Sequence, residues 1–123
     1  MASRNWKRKQ ALETEVKELY ATITIGGTGA PTLTTGYGIA SITRTSAGLY
    51  VLTLTDYYSA LKSFSVVHVN STAEDLKFQV KTNGISSSSK SITFFTLAVG
   101  TATDPTSGDV LLVKIEVKNS TAI

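Results

Sequence analysis

Apolar and polar residues alternate in short runs from residue 20 onward, and turn-forming residues separate one run from the next. Residues 113–118 show the pattern clearly, because valine and isoleucine take every second position and charged residues take the others. Alternation with a period of two places one set of side chains on each face of a β-strand. Glycine, proline, serine and asparagine between the runs favour turns. The pattern therefore predicts an all-β domain.

Seven strands are predicted, at residues 20–25, 37–45, 48–55, 63–69, 76–82, 90–99 and 110–118. The chain has 123 residues, a length that suits one domain with one core. The short connector at residues 45–48, which ends in glycine, predicts a hairpin between the strands on either side of it. The last strand carries charges along one whole face, which favours a position at the edge of a sheet. We expect an antiparallel β-sandwich of about seven strands.

The segment before the first predicted strand has a different periodicity. Residues 11–20 are mostly good helix formers, and Leu12, Val16 and Leu19 recur at spacings that place them on one face of a helix. A helix of this length is marginal in isolation, so its apolar stripe needs a surface to pack against. We therefore divide the chain into a basic, amphipathic N-terminal arm or helix at residues 1–19 and a β-sandwich at residues 20–123.

The positive charge of the protein is concentrated in this arm. The formal net charge is +3, and the basic segment (Arg4, Trp6, Lys7, Arg8 and Lys9) places four cations and one tryptophan within six residues. Such a segment suits nucleic-acid phosphates, an anionic membrane surface, or an acidic protein surface with the tryptophan as a buried anchor. A solubilising tail without a partner is the fourth interpretation.

The apolar stripe that follows the basic segment favours attachment to a partner over a solubilising tail. We expect that partner to be a protein, and neither a membrane nor a nucleic acid. One arm that carries both charge and apolar anchors is suited to attachment. The candidate attachment residues are Arg4, Trp6, Lys7, Arg8, Lys9, Leu12, Val16 and Leu19.

Catalytic and metal-binding residues are scarce. The sequence has no cysteine and one histidine, His68, so zinc or copper would depend mainly on carboxylates, which is unusual for those metals. Glu74 and Asp75 could meet Asp104 and Asp109 around calcium if their loops converge, but no spacing matches an EF-hand. Solvated turn residues are the favoured interpretation of these carboxylates. We expect no enzymatic activity, no metal site and no cofactor.

Two further motifs have structural interpretations. The glycines of residues 26–29 resemble a phosphate-binding loop, but Pro31 and a run of threonines follow where such a loop would need a helix, so we expect a strand connector. Alternation in residues 66–69 places His68 on one face with Val66, which predicts a partly buried or surface strand histidine. No stretch approaches the roughly 20 apolar residues of a membrane span, and no secretory signal is recognised. We expect a soluble protein made in a cytoplasm.

Four segments carry a resemblance to known proteins: the basic start at residues 2–5, the stretch Gly38-Ile39-Ala40-Ser41-Ile42-Thr43-Arg44-Thr45-Ser46-Ala47-Gly48-Leu49-Tyr50, the following Leu52-Thr53-Leu54-Thr55-Asp56-Tyr57-Tyr58, and the ending Val117-Lys118-Asn119-Ser120. Together they resemble a group of small tailed-phage virion proteins, namely capsid decoration (cement) proteins and head-fibre subunits. The order of these motifs carries the likeness, which covers about two-thirds of the chain.

The resemblance implies a β-sandwich that projects from a capsid, commonly as a homotrimer, with terminal segments that grip the major capsid protein or another virion protein. The protein would then reside in the virion, assembled in the host cytoplasm. A carbohydrate-binding or adhesin-like module of a phage tail or fibre is the alternative function. Its candidate aromatic residues are Trp6, Tyr37, Tyr50, Tyr57 and Tyr58, although aromatics in such a fold are more commonly core residues.

Overall fold

Nine β-strands form within residues 16–118, the part of the chain that the computed structural model describes. They are β1 (Val16–Thr24), β2 (Thr32–Tyr37), β3 (Ile39–Ser46), β4 (Leu49–Leu54), β5 (Ala60–Val69), β6 (Lys77–Asn83), β7 (Ser91–Ala98), β8 (Thr101–Ala102) and β9 (Val110–Lys118). Residues 16–118 contain no helix, and so none that could cross a membrane. The prediction of an all-β domain is confirmed.

The strands form two antiparallel sheets. Sheet I has four strands in the order β2-β1-β9-β5. Sheet II has five strands, with β3-β4-β7-β6 in order and the short β8 paired to β7. The predicted hairpin is confirmed as β3–β4, in which Ser46 is paired with Leu49.

One hydrophobic core contains residues from both sheets. Its buried members are Leu19, Ala21, Ile23, Ile25, Ile39, Ile42, Tyr50, Leu52, Leu54, Tyr58, Ile85, Ile92, Phe94, Leu111, Val113, Ile115 and Val117. Phe64 of sheet I packs on Phe94 of sheet II with 5.3 Å between ring centroids, and Phe94 also stacks on Tyr50. Burial of each large apolar side chain contributes about 1.5–3 kcal/mol. A shared core between two antiparallel sheets is consistent with a β-sandwich.

The helix predicted for residues 11–20 is wrong over its second half. Residues 16–20 form the start of β1, and residues 11–15 lie outside the described part of the chain. Pairing with β9 joins all nine residues of β1, from Val16 opposite Lys118 to Thr24 opposite Val110. Tertiary pairing of this length overrides the weak local preference for helix. Leu19 then points into the core with Ala21 and Ile23, at the spacing of two that a strand requires.

The predicted edge position of the last strand is also wrong. β9 lies between β1 and β5 in the interior of sheet I. Its charged side chains lie on the outer face of the sheet, where the Lys114 ammonium is 3.3 Å from a carboxylate oxygen of Glu18. An antiparallel sheet with one solvated face shows the same alternation in its interior strands as at its edge.

Two strands lie where the sequence predicts connectors. β2 follows Pro31 and consists mainly of threonines and a glycine, and β8 has only two residues. β2 is mostly exposed, so it lacks the alternating apolar pattern of a half-buried strand.

Candidate functional sites at the two ends of the fold

Sheet I gives the fold two distinct ends. At the terminal end, Val16 is paired with Lys118, and the Ser59 amide donates to the Lys118 carbonyl, so both ends of the described chain leave there. At the loop end, Val110 is paired with both Thr24 and Val69. A nine-residue strand spans about 27 Å, so the two ends are well separated.

Most of the candidate attachment residues lie outside the described part of the chain: Arg4, Trp6, Lys7, Arg8, Lys9 and Leu12. Of the other two, Val16 is half-buried at the start of β1 and Leu19 is 3% exposed in the core. The structure therefore contradicts the role proposed for Leu19, because a side chain already buried in its own core is not available to a partner.

A groove of about 300 Å³ lies near the terminal end. The residues of this terminal groove include Lys17, Glu18, Tyr37, Asp56 and Tyr58. The Tyr37 side chain is 68% exposed, whereas Tyr58 is buried. Burial, reinforced by the negative charge of Asp56, raises the pKa of the Tyr58 hydroxyl. The terminal groove thus joins one exposed aromatic ring to several polar groups, a combination that suits a polar ligand with an apolar face.

The five candidate aromatic residues are divided by the structure. Tyr50 and Tyr58 are core residues, whereas Tyr37 and Tyr57 are exposed. The Tyr57 ring lies outside the terminal groove and has the Lys90 ammonium 5.1 Å from its centroid. Trp6 lies outside the described residues.

Glu18 is the centre of a polar network on the outer face of sheet I. The Tyr20 hydroxyl donates to its carboxylate over 2.7 Å, and Lys114 lies on the other carboxylate oxygen. The hydrogen bond from Tyr20, followed by the interaction with Lys114, lowers the pKa of Glu18 to about 2. The carboxylate therefore stays ionised throughout the physiological range.

Asp104 does not join the other carboxylates. Its side chain accepts hydrogen bonds from Arg44 Nε and Nη2 at 3.0 and 2.7 Å, from the Gly48 amide at 2.9 Å, and from the Tyr50 hydroxyl at 3.1 Å. These donors, Arg44 first, lower the pKa of Asp104. The arrangement fastens the β3–β4 turn to the connector before β9 and has a structural purpose.

Glu74 and Asp109 do meet, at the loop end. They form the loop-end cluster with His68 and Asn70. His68 Nε2 lies 2.7 Å from Asp109 Oδ2 and 3.9 Å from Glu74 Oε1. The Asn70 amide nitrogen donates to Asp109 Oδ1 at 2.6 Å and to Glu74 Oε2. Asp75 is exposed and is not part of this cluster.

The strand positions explain why the loop-end cluster forms. His68 is near the end of β5, on the inward face with Val66, and its ring meets the edge of Phe78 with centroids 6.2 Å apart. Asp109 immediately precedes β9, and its backbone carbonyl accepts the Ile25 amide. Because β5 and β9 are paired, the two side chains meet across neighbouring strands. The partly buried position predicted for His68 is confirmed.

The loop-end cluster opens to solvent through a cavity of about 340 Å³. Asn70, Glu74, Thr106 and Asp109 lie along it. The Thr106 amide donates to Asp109 Oδ2 at 3.1 Å, so the connector before β9 is tied to the same carboxylate. The cluster thus couples two connectors that are far apart in sequence.

Comparisons with protein-family models, with curated proteins and with solved structures give no match to this chain.

Proposed function

We propose that this protein is a structural subunit of a tailed-phage particle, a decoration, cement or head-fibre protein that binds the capsid exterior through its N-terminal segment. The observation that carries the proposal is the pairing of Val16 with Lys118, which connects residues 1–15 to the body at the terminal end. The basic segment is therefore joined to one end of the fold, while the loop end lies about 27 Å away. A subunit attached at one end and displayed at the other would have this organisation.

Apolar anchors, with help from charge, would provide the attachment. Exposed ion pairs contribute about 0–1 kcal/mol each and are screened by salt, so the four cations would mainly attract the segment to an acidic surface. Of the apolar anchors predicted from the sequence, Trp6 and Leu12 lie outside the described residues and Val16 is half-buried at the start of β1. A large apolar side chain contributes about 1.5–3 kcal/mol when it becomes buried against a partner. Leu19 no longer belongs to this set, because it lies in the core of the body.

The environment of His68 supports a binding role over catalysis. Within residues 16–118 its ring is hydrogen-bonded to the Asp109 carboxylate and meets the edge of Phe78. A serine or threonine nucleophile would need an imidazole within hydrogen-bonding reach of its hydroxyl. No serine or threonine hydroxyl of residues 16–118 is hydrogen-bonded to His68, whose partner is the Asp109 carboxylate.

The experiment compares the full chain with a variant that lacks residues 1–10, using purified capsids of the phage that carries the gene. This deletion stops before β1, whereas removal of residues 1–19 would take Leu19 out of the core and remove four of the nine residues of the strand. We expect the full chain to co-sediment with capsids and the shortened chain to stay in solution with an unchanged circular dichroism spectrum. Equal binding of the two chains would place attachment on the body, and failure of the full chain to bind would refute the phage proposal.

A matched variant separates charge from apolar contact. Replacement of Arg4, Lys7, Arg8 and Lys9 by glutamine should weaken capsid binding mainly at low salt, because charge screening already weakens these contacts at high salt. Trp6→Ala should weaken binding at all salt concentrations.

The proposal includes a homotrimer, which follows from the resemblance to phage virion proteins. The apolar stripe that the sequence placed at Leu12, Val16 and Leu19 no longer supports it, since Leu19 is buried within its own chain. Light scattering should give the mass of three chains. A monomer both at high concentration and on the particle would refute this part of the proposal.

Carbohydrate binding is the second candidate function, and the terminal groove favours it. An exposed ring such as that of Tyr37 can stack on a sugar, while Glu18 and Asp56 can accept hydrogen bonds from hydroxyl groups. Binding on a glycan array that is lost in Tyr37→Ala and kept in Tyr57→Ala would establish it, because Tyr57 is exposed but lies outside the groove. A protein that labels capsids and binds no glycan supports the first function.

A further inference from the structure

The loop-end cluster carries more negative than positive charge. Glu74 and Asp109 supply two carboxylates, and the ion pairs they form within residues 16–118 are with His68 alone. The Asp109 side chain is only 4% exposed, and Asn70 is neutral. Even a protonated imidazole would balance one carboxylate and leave the other without a counter-charge. The excess negative charge of Glu74 lies beside the buried Asp109, where little solvent screens it, so the cluster favours a cation.

The orientation of the two carboxylates favours a single position for that cation. Asn70 donates to Oδ1 of Asp109 and Oε2 of Glu74, while the other oxygen of each carboxylate faces His68 Nε2. Asn70 therefore holds the outer oxygens and turns Oδ2 and Oε1 toward the imidazole. Carboxylates that bind a metal are commonly held by such outer hydrogen bonds.

The separations of the three donor atoms fit one small ion. His68 Nε2 lies 2.7 Å from Asp109 Oδ2 and 3.9 Å from Glu74 Oε1, and one donor atom from each residue lies within 4.8 Å of the others. In a tetrahedral zinc site with bonds of about 2.0–2.2 Å, neighbouring donor atoms are about 3.4 Å apart. The two separations lie on either side of this value, so small side-chain rotations would bring all three donors onto the ion.

The donor types select the ion. Imidazole nitrogen is a preferred ligand of zinc and carboxylate oxygens also bind it, although a zinc site with one histidine and two carboxylates is unusual. Calcium requires six to eight oxygen ligands, more than two carboxylates supply. The cavity of about 340 Å³ beside the cluster leaves room for water in the remaining position.

We propose that His68, Glu74 and Asp109 bind one Zn²⁺ ion, with Asn70 as a positioning residue. The ion would join the end of β5, the connector that holds Glu74, and the connector before β9. This proposal departs from the expectation of no metal site, which rested on the absence of cysteine and the single histidine. It is independent of the phage proposal, because all of its residues lie at the loop end.

The test uses the full chain after dialysis against a chelator, titrated with ZnCl₂ in a calorimeter. We expect one ion per chain and a higher melting temperature with zinc, since a ligand that binds only the folded state stabilises it. Glu74→Gln should lower zinc affinity by at least about tenfold. Asp75→Asn is the matched control, because this exposed neighbour lies outside the cluster, and it should bind like the unmodified protein. Without zinc, Glu74→Gln should melt at or above the temperature of the unmodified protein, because glutamine can still accept from Asn70 and the substitution removes one of the two negative charges.

Nuclear magnetic resonance gives a second readout at the donor atom itself. His68 is the single histidine of the sequence, so its ring nitrogen signals are unambiguous. We expect the Nε2 signal to shift on addition of one equivalent of zinc in the unmodified protein. The proposal is overturned by an unchanged Nε2 signal, by equal zinc affinity in Glu74→Gln, or by tighter binding of Ca²⁺ than of Zn²⁺.

Discussion

Arg44 and Asp104, 60 residues apart in sequence, are joined by two parallel hydrogen bonds between guanidinium and carboxylate. Asp104 also accepts from Gly48 and Tyr50, so one carboxylate holds the β3–β4 hairpin against the connector that leads to β9. Planar guanidinium and carboxylate groups favour this two-point geometry. β3 is an edge strand of sheet II, so the Asp104 contacts hold the β3–β4 turn in addition to the hydrogen bonds between β3 and β4.

Asp104→Ala should destabilise the fold. The Gly48 amide and the Tyr50 hydroxyl, both in buried residues, would lose their acceptor, and the loss should be about 2–3 kcal/mol in the free energy of unfolding. Urea denaturation measures it. Asp75→Ala, at an exposed carboxylate, is the control and should be nearly neutral. A value for Asp104→Ala as small as that of the control would show that the contact is dispensable.

The same carboxylate should make stability depend on pH at the acid side. Its pKa in the folded protein is lower than the ordinary 3.8, so the unfolded chain binds more protons between the two values. The stabilisation is therefore complete above about pH 4 and is lost as pH falls through the folded pKa. Asp104→Asn should show a shallower loss over this range in urea denaturation at several pH values. If the free energy of unfolding fell equally with pH in the unmodified protein and in Asp104→Asn, Asp104 would not be the source of the pH dependence.

Tyr20→Phe should raise the pKa of Glu18 from about 2 toward its ordinary 4.5, because the hydrogen bond from Tyr20 is the largest cause of the shift. The side-chain carbon signal of Glu18, followed by nuclear magnetic resonance between pH 1.5 and 6, reports the change. Tyr37→Phe is the control. Tyr37 lies opposite Tyr20 on the neighbouring strand β2, but the hydroxyl that donates to Glu18 is that of Tyr20, so this variant should leave the pKa of Glu18 unchanged. An unchanged Glu18 titration in Tyr20→Phe would assign the shift to Lys114.

Gly48→Ala should be far more damaging than Gly100→Ala. Both glycines have a left-handed backbone, with φ of 65° and 79°, so each substitution carries a backbone cost of about 1–2 kcal/mol. A Cβ at Gly48 would also clash with the Thr103 amide nitrogen and lie 2.7 Å from the Thr96 carbonyl oxygen, whereas one at Gly100 would have no atom within 4 Å. We expect Gly48→Ala to lose at least about 2 kcal/mol more, measured by urea denaturation. Equal losses would show that the loop around Thr103 yields freely.

The parts of the fold that the sequence predicts well are strands with one dry face. β9 has the bounds that the sequence predicts for the last strand, Val110 and Lys118. Its place between β1 and β5 was not predictable, because interior and edge strands of a sheet with one solvated face both carry polar residues on that face. β1 was misassigned at its start because the spacing of Val16 and Leu19 fits a helix, and only the ladder with β9 decides between the two structures.

The candidate site was predictable only in its parts. The sequence indicates that Glu74 and Asp109 could converge with other carboxylates. It cannot show that Asp104 pairs with Arg44 elsewhere, or that His68 lies beside Glu74 and Asp109. His68 is separated from Asp109 by 41 positions, and the pairing of β5 with β9 brings them together. A long-range strand pairing of this kind has no local sequence pattern.

The position of the two chain ends determines how this fold would respond to mechanical load. Forces that pull Val16 away from Lys118 act on the terminal pair of the β1–β9 ladder, so its hydrogen bonds would break one after another. A pull on Val16 with the body held at the loop end acts along β1 instead and loads the bonds on both of its sides together, to β9 and to β2. The domain is therefore weak when the load pulls its two chain termini apart. It is strong when the load acts between the terminal end and the loop end of the fold.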